Sequence, residues 1–127
     1  MSDDLNSLYE RLGGQEKLAK IVFDMYQGVL ADEDLAPFFE NVPMDRLNRM
    51  NTEFIASALD GPIRYTGAEL VAVHSGRGIQ RKHFSAFVSY LAEAMRNNGV
   101  EERLIDDVLG RVAMYAGKIT GDANIDG

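Results

Sequence analysis

Wherever this chain is apolar, its apolar residues recur three and four positions apart, and no stretch sustains the every-other-residue alternation of a half-buried strand. That regularity predicts an all-α protein. Leu5, Leu8, Tyr9 and Leu12 form a first stripe that Gly13 and Gly14 close, glycine being the residue that ends a helix in left-handed backbone without a Cβ penalty. The stripe Leu18, Ile21, Val22, Met25, Tyr26 and Val29 predicts a helix from Gln15 to Leu30 with Tyr26 pointing inward. The connection ADEDLAPFFENVP follows, with Pro37 and Pro43 as breakers. Asp45 is expected to cap a helix that runs to about Leu59 and carries Leu47, Asn51, Phe54, Ile55 and Ala58 on one side. DGPIRYTG interrupts the chain, AELVAVH forms a short helix, and SGRGI ends it. Two longer helices close the pattern, one with Phe84, Phe87, Val88, Leu91 and Met95 before NNG, the other with Leu104, Ile105, Val108, Val112 and Tyr115.

A length of 127 residues predicts one domain over 1–127, with the polar ends, residues 1–4 and about 120–127, as solvated tails. Such a domain buries roughly two-thirds of the surface its unfolded chain exposes, and the 46% hydrophobic content suffices for a core. The formal charge of −7 argues against nucleic acid and anionic membrane as partners, since both require clustered Lys and Arg. With no cysteine, disulfides, thiolate zinc sites, iron–sulfur clusters and the C-x-x-C-H haem attachment are excluded. No signal-peptide or membrane-spanning pattern is present, so a cytoplasmic location is expected. The run Asp32, Glu33, Asp34 reads as a solvated loop without an acid–base role.

Three polar residues stand on faces otherwise written for burial: Tyr26, Asn51 and His74. A buried polar group needs a partner. His74 admits two accounts, a helix C-terminal cap or an iron ligand, and Tyr26 admits the bland one of a core ring whose hydroxyl finds a carbonyl. Asn51 is harder to place, because an amide amid apolar neighbours has several hydrogen-bonding sites to satisfy. No nucleophile elbow, P-loop or HExxH pattern occurs, and His74 and His83 lie nine residues apart across a loop. What remains is one imidazole on a helical frame rich in apolar side chains, the minimum for holding haem without a covalent link, with Tyr26 and Asn51 as hydrogen-bond donors on the other side.

Seven stretches in order, LYERLGG, VLADEDLAPFF, MDRLNRMNTEF, GPIRYTG, VHSGRGI, HFSAFV and NNGVEERLIDDVLG, resemble the truncated haemoglobins, and most of all their group I members. The resemblance implies a two-over-two helical sandwich around non-covalent haem b. It implies His74 as the proximal iron ligand, Tyr26 as the distal tyrosine, Leu47 at the gate position and Asn51 as the amide partner. Phe39, with Phe38 beside it, resembles the aromatic that wedges the haem, while Phe54, Ile79, Phe84 and Phe87 resemble pocket or tunnel-lining residues. Arg77 resembles a partner for a haem propionate, against the alternative of a solvated loop arginine.

Two departures stand out: Asn51 occupies a position where group I members commonly carry the longer Gln, and a family glycine pair is here Asp60-Gly61. Residues 45 to 59 and 100 to 119 contain no histidine, which implies penta-coordinate or water-ligated iron and removable haem, with His83 at the surface or the haem edge. The function so implied is reversible binding and transport of oxygen, with nitric oxide and carbon monoxide as further ligands, by a monomer or weak dimer. The alternative is a nitric oxide dioxygenase served by a separate reductase. A helical sensor or interaction module without haem is the third possibility, and it would purify colourless.

Overall fold

The computed structural model describes residues 7–61 and 78–116, and within them the chain forms five α-helices, one 3-10 helix and no strand. These are α1 (Leu8–Leu12), α2 (Gly14–Val29), the 3-10 helix (Ala36–Phe39), α3 (Met44–Ala58), α4 (Arg81–Asn97) and α5 (Glu102–Ala113). His74, Arg77, the short helix expected at AELVAVH and both expected tails lie outside the described residues.

Helix α1 starts where Ser7 and Glu10 cap each other: the Glu10 N–H donates to Ser7 Oγ and the Ser7 N–H to Glu10 Oε1, both at 3.2 Å. It ends at Gly13, whose φ of 125° excludes other residues, and Gly14 already opens α2, one residue before the expected Gln15. The whole stripe from Leu18 to Val29 is buried as the spacing predicts, with Ile21, Val22, Tyr26 and Val29 at 0% exposure. Each large apolar side chain fully buried there contributes about 1.5–3 kcal/mol relative to exposure. Helix α2 is thus the central element; it packs on α3 and, most extensively, on α4. Helix α5 packs on α4, on α1 and, least extensively, on α3, while α2 and α4 make the main contact between the pair α2–α3 and the pair α4–α5.

One start signal read from the sequence needs correction. Asp45 is not the cap of α3: the cap position is Pro43, whose carbonyl accepts from the N–H groups of Arg46 and Leu47 at 3.0 and 3.1 Å. Proline suits that place because its φ is already fixed and it brings no N–H to satisfy. Asp45 instead sits in the first turn, where its charge faces the positive end of the helix dipole. The connection before it also contains more structure than a loop, namely the 3-10 helix, with Leu35 just ahead of it only 2% exposed.

The Asp60-Gly61 departure has a local solution. Asp60 takes φ 65°, a left-handed conformation that Asp tolerates better than most residues. Its carboxylate receives the Arg111 guanidinium at 2.7 Å, and the same Arg111 nitrogen donates to the Ala58 carbonyl at 3.1 Å. Gly61 is the position that must stay bare, since a Cβ there would stand 2.8 Å from the Ala56 oxygen.

Candidate functional site

Tyr26 lies at the start of the last turn of α2 with 0% exposure, and Asn51 lies half-buried in the middle of α3. Because α2 and α3 pack along their length, the two side chains meet: Asn51 Nδ2 donates to the Tyr26 hydroxyl oxygen. Asn therefore reaches the tyrosine despite being one methylene shorter than Gln. Burial pushes the Tyr26 phenol far above its ordinary value, so the hydroxyl stays protonated. It already accepts from Asn51, and among the described residues no acceptor takes its proton. Among the described residues the Tyr26 hydroxyl is thus an unspent donor in an apolar setting, where a hydrogen bond is worth more than in water.

That setting is aromatic. The Tyr26 ring stands edge-on to Phe39 of the 3-10 helix at 5.5 Å and to Phe87 of α4 at 6.0 Å, and Phe39 and Phe87 stack at 6.4 Å. Edge contacts of this kind favour a fixed ring orientation. Leu47, one turn before Asn51, is 7% exposed, whereas Phe84 and Phe87 are half-buried against the core and Ile79 is half-buried just ahead of α4. Phe54 is 9% exposed and pairs edge-on with Tyr115 at 5.4 Å, a ring contact separate from the three around Tyr26. His74 and Arg77 lie outside the described residues, so the geometry here concerns the Tyr26 side alone.

Several contacts were not foreseen. Thr52 is only 2% exposed, and its hydroxyl donates to Asn48 Oδ1 at 3.5 Å while Asn48 Nδ2 donates to the Ala19 carbonyl at 3.3 Å, a polar seam between α2 and α3 beside Asn51. Asp32 is more than a solvated loop residue, which corrects the reading of the Asp32–Asp34 run. Its Oδ2 accepts from the Tyr90 hydroxyl at 2.7 Å and its Oδ1 from the Asp34 N–H at 2.8 Å. The Tyr90 bond, above all, holds the Asp32 carboxyl below the usual carboxylate range. Tyr90 lies across Gly28 so closely that a Cβ there would stand 2.5 Å from its ring, and this lets α2 and α4 approach. His83 takes the Gln80 N–H on its Nδ1 at 3.0 Å and meets Phe38 edge-on at 4.8 Å. The three-residue step from Gln80 to His83 was the one signal that could have revealed this contact.

Comparison with known proteins adds an independent line. A family model described as bacterial-like globin matches residues 7–121. The group 1 truncated haemoglobin GlbN of Mycolicibacterium paratuberculosis is 44% identical over 118 residues, covering 92% of this chain and 87% of that protein. The truncated haemoglobin of Tetrahymena pyriformis in its Fe(III) form superposes with a TM-score of 0.83 at 31% identity, covering 90% of this chain and 97% of that one. The 2/2 haemoglobin of a Synechococcus species, in the cyanomet state with covalently attached haem, gives a TM-score of 0.82 at 30% identity, covering 91% of this chain and 99% of that one.

Proposed function

The chain belongs to the group 1 truncated haemoglobins, within the bacterial-like globins, and on that premise we propose that it binds haem b and uses it to bind oxygen reversibly. The observation that carries the reading is the buried Tyr26 hydroxyl, protonated, held by Asn51 and with its own proton unspent among the described residues. The residues fit the group: an aromatic wall of Phe39 and Phe87 offers apolar surface to a porphyrin, and a single donor stands beside it. In this reading His74 is the iron ligand, and Phe39, Leu47, Phe54, Ile79, Phe84 and Phe87 line the pocket, with Arg77 toward a propionate.

When bound, haem supplies the ferrous iron that takes up a diatomic ligand. The protein's part is selection. A ligand that gathers negative charge, as oxygen does, draws the Tyr26 proton into a charge-assisted hydrogen bond worth about 1.5–3 kcal/mol, whereas the less polar carbon monoxide gains less. Asn51, by donating to the Tyr26 oxygen, holds the hydroxyl in place and leaves its proton for the ligand. Residues 100–119 hold neither histidine nor cysteine, which supports haem held without a covalent link.

Absorption spectra of the purified protein, ferric, reduced and under carbon monoxide, beside His74→Ala test the reading. The expected result is an intense haem band that shifts with carbon monoxide and is weakened or altered in the variant. A protein that stays colourless and refuses added haem would refute it. Mixing the oxygen-loaded protein with nitric oxide, with a reductase present, then asks whether nitrate forms over repeated turnovers, the mark of dioxygenase action in the same pocket.

A further inference from the structure

The 3-10 helix that carries Phe39 is four residues long, and none of its side chains is fully buried. So short an element has little stability of its own and takes its position from what it touches. Its two phenylalanines touch different things. Phe39 meets Tyr26 and Phe87, while Phe38 meets only His83 among the ring contacts of the described residues. On α4, His83 and Phe87 are one turn apart on the same face. The 3-10 helix and α4 are therefore joined twice, through Phe39–Phe87 at 6.4 Å and through Phe38–His83 at 4.8 Å, and Tyr26 stands edge-on to both members of the first pair.

His83 is itself fixed. Its Nδ1 holds the Gln80 N–H at 3.0 Å, the backbone group that opens α4. An amide or carboxylate would supply that acceptor without a ring, and phenylalanine would supply the ring without an acceptor. Histidine does both.

We propose that His83 is a positioning residue for Tyr26: by pinning Phe38 from the start of α4 it locks the 3-10 helix against α4, and so holds Phe39 and Phe87 where they fix the Tyr26 ring under Asn51. The consequence for ligand binding rests on the reading of Tyr26 as the ligand's donor. The consequence for the Tyr26–Asn51 contact does not.

Four variants of the haem-loaded protein test it: His83→Ala, His83→Gln, His83→Phe and Phe38→Ala, with Tyr26→Phe as reference. Each is read by oxygen dissociation in stopped flow, by the stretching band of bound carbon monoxide, by the exchange rate of the Asn51 side-chain amide protons in NMR and by melting temperature. His83→Ala and Phe38→Ala should speed oxygen release by roughly threefold to tenfold, broaden or split the carbon monoxide band, and speed Asn51 exchange. His83→Phe should keep all three close to the parent protein while lowering the melting temperature, because it restores the ring but not the cap. His83→Gln should do the reverse. If His83→Gln restores the three site readouts and His83→Phe does not, His83 is a helix cap only and the proposal falls. It falls also if His83→Ala leaves Asn51 exchange unchanged. If Asn51 exchange rises as expected while Tyr26→Phe leaves oxygen release unaltered, the latch stands and the role given to Tyr26 fails.

Discussion

Tyr26 and Tyr90 both sit where α2 meets α4, and their hydroxyls work in opposite directions. Tyr26 accepts a hydrogen bond from Asn51 and donates none among the described residues, whereas Tyr90 donates to Asp32 Oδ2. A tyrosine whose proton is already engaged by a carboxylate fastens two elements together; one whose proton is free in an apolar place can serve a ligand. The backbone beside each agrees with that division. Gly28 lets the Tyr90 ring come close to α2, and Tyr26, two residues earlier, is ringed by Phe39 and Phe87. The residue type is the same, and the partner decides what it does.

The contrast breaks first at Tyr26→Phe. Loss of a charge-assisted hydrogen bond should speed oxygen dissociation about ten- to a hundred-fold, most of the affinity change lying in release. Tyr90→Phe should leave that rate within about twofold, since it removes no hydrogen bond to a ligand. An equal effect from both would mean that Tyr26 acts through packing. Were the Asn51 amide turned the other way, the Tyr26 proton would be spent on it and Tyr26→Phe would change little.

Next comes Gly28→Ala. Alanine is the better helix former by about 1 kcal/mol, but its Cβ meets the Tyr90 ring, and overpacking of this kind costs about 1–3 kcal/mol. Urea unfolding should therefore show a net loss of up to about 2 kcal/mol, relieved when Tyr90→Ala is added in a double-mutant cycle. A gain in stability would show that the ring yields freely and that the contact between α2 and α4 is looser than its distances indicate.

Asn51→Ala should act on oxygen release in the same direction as Tyr26→Phe but less, by roughly two- to tenfold, the worth of one ordinary hydrogen bond. It tests whether the amide merely orients the tyrosine. A larger effect than Tyr26→Phe would make Asn51 the principal donor.

The smallest effect belongs to acid. Asp32 has its pKa lowered in the folded protein, so its contribution to stability is present above the unfolded carboxylate value of about 3.9 and is lost as pH falls through the folded value. Tyr90→Phe removes the main cause of the shift. The variant should therefore lose less stability than the parent protein on acidification below about pH 4, in thermal melts taken from pH 6 down to pH 3. Parallel curves would show that the Tyr90–Asp32 bond does not persist in solution.

Much of this molecule was legible because helical periodicity is a local property. The stripe from Leu18 to Val29 was buried as written, and Tyr26 faced inward because its neighbours three and four positions away did. Asn51 could be singled out for the same reason, as a polar residue on an apolar face. Thr52 escaped notice because its burial depends on how closely α3 lies on α2, and Asp32 did because its partner Tyr90 is 58 residues away. Asp45 misled through propensity: the residue was right for a cap, but the backbone of Pro43 had already taken the position.

The sequence by itself determined the helices, the face each one buries, the family to which the chain belongs and the three polar residues worth questioning. Tertiary structure alone decided that Asn51 gives its hydrogen to Tyr26, that Tyr90 spends its own on Asp32, and that His83 meets Phe38. The physical reason is range. Hydrophobic pattern and capping act within a turn or two, but whether a hydroxyl proton is free or engaged depends on an atom within about 3 Å that the fold brings from another helix.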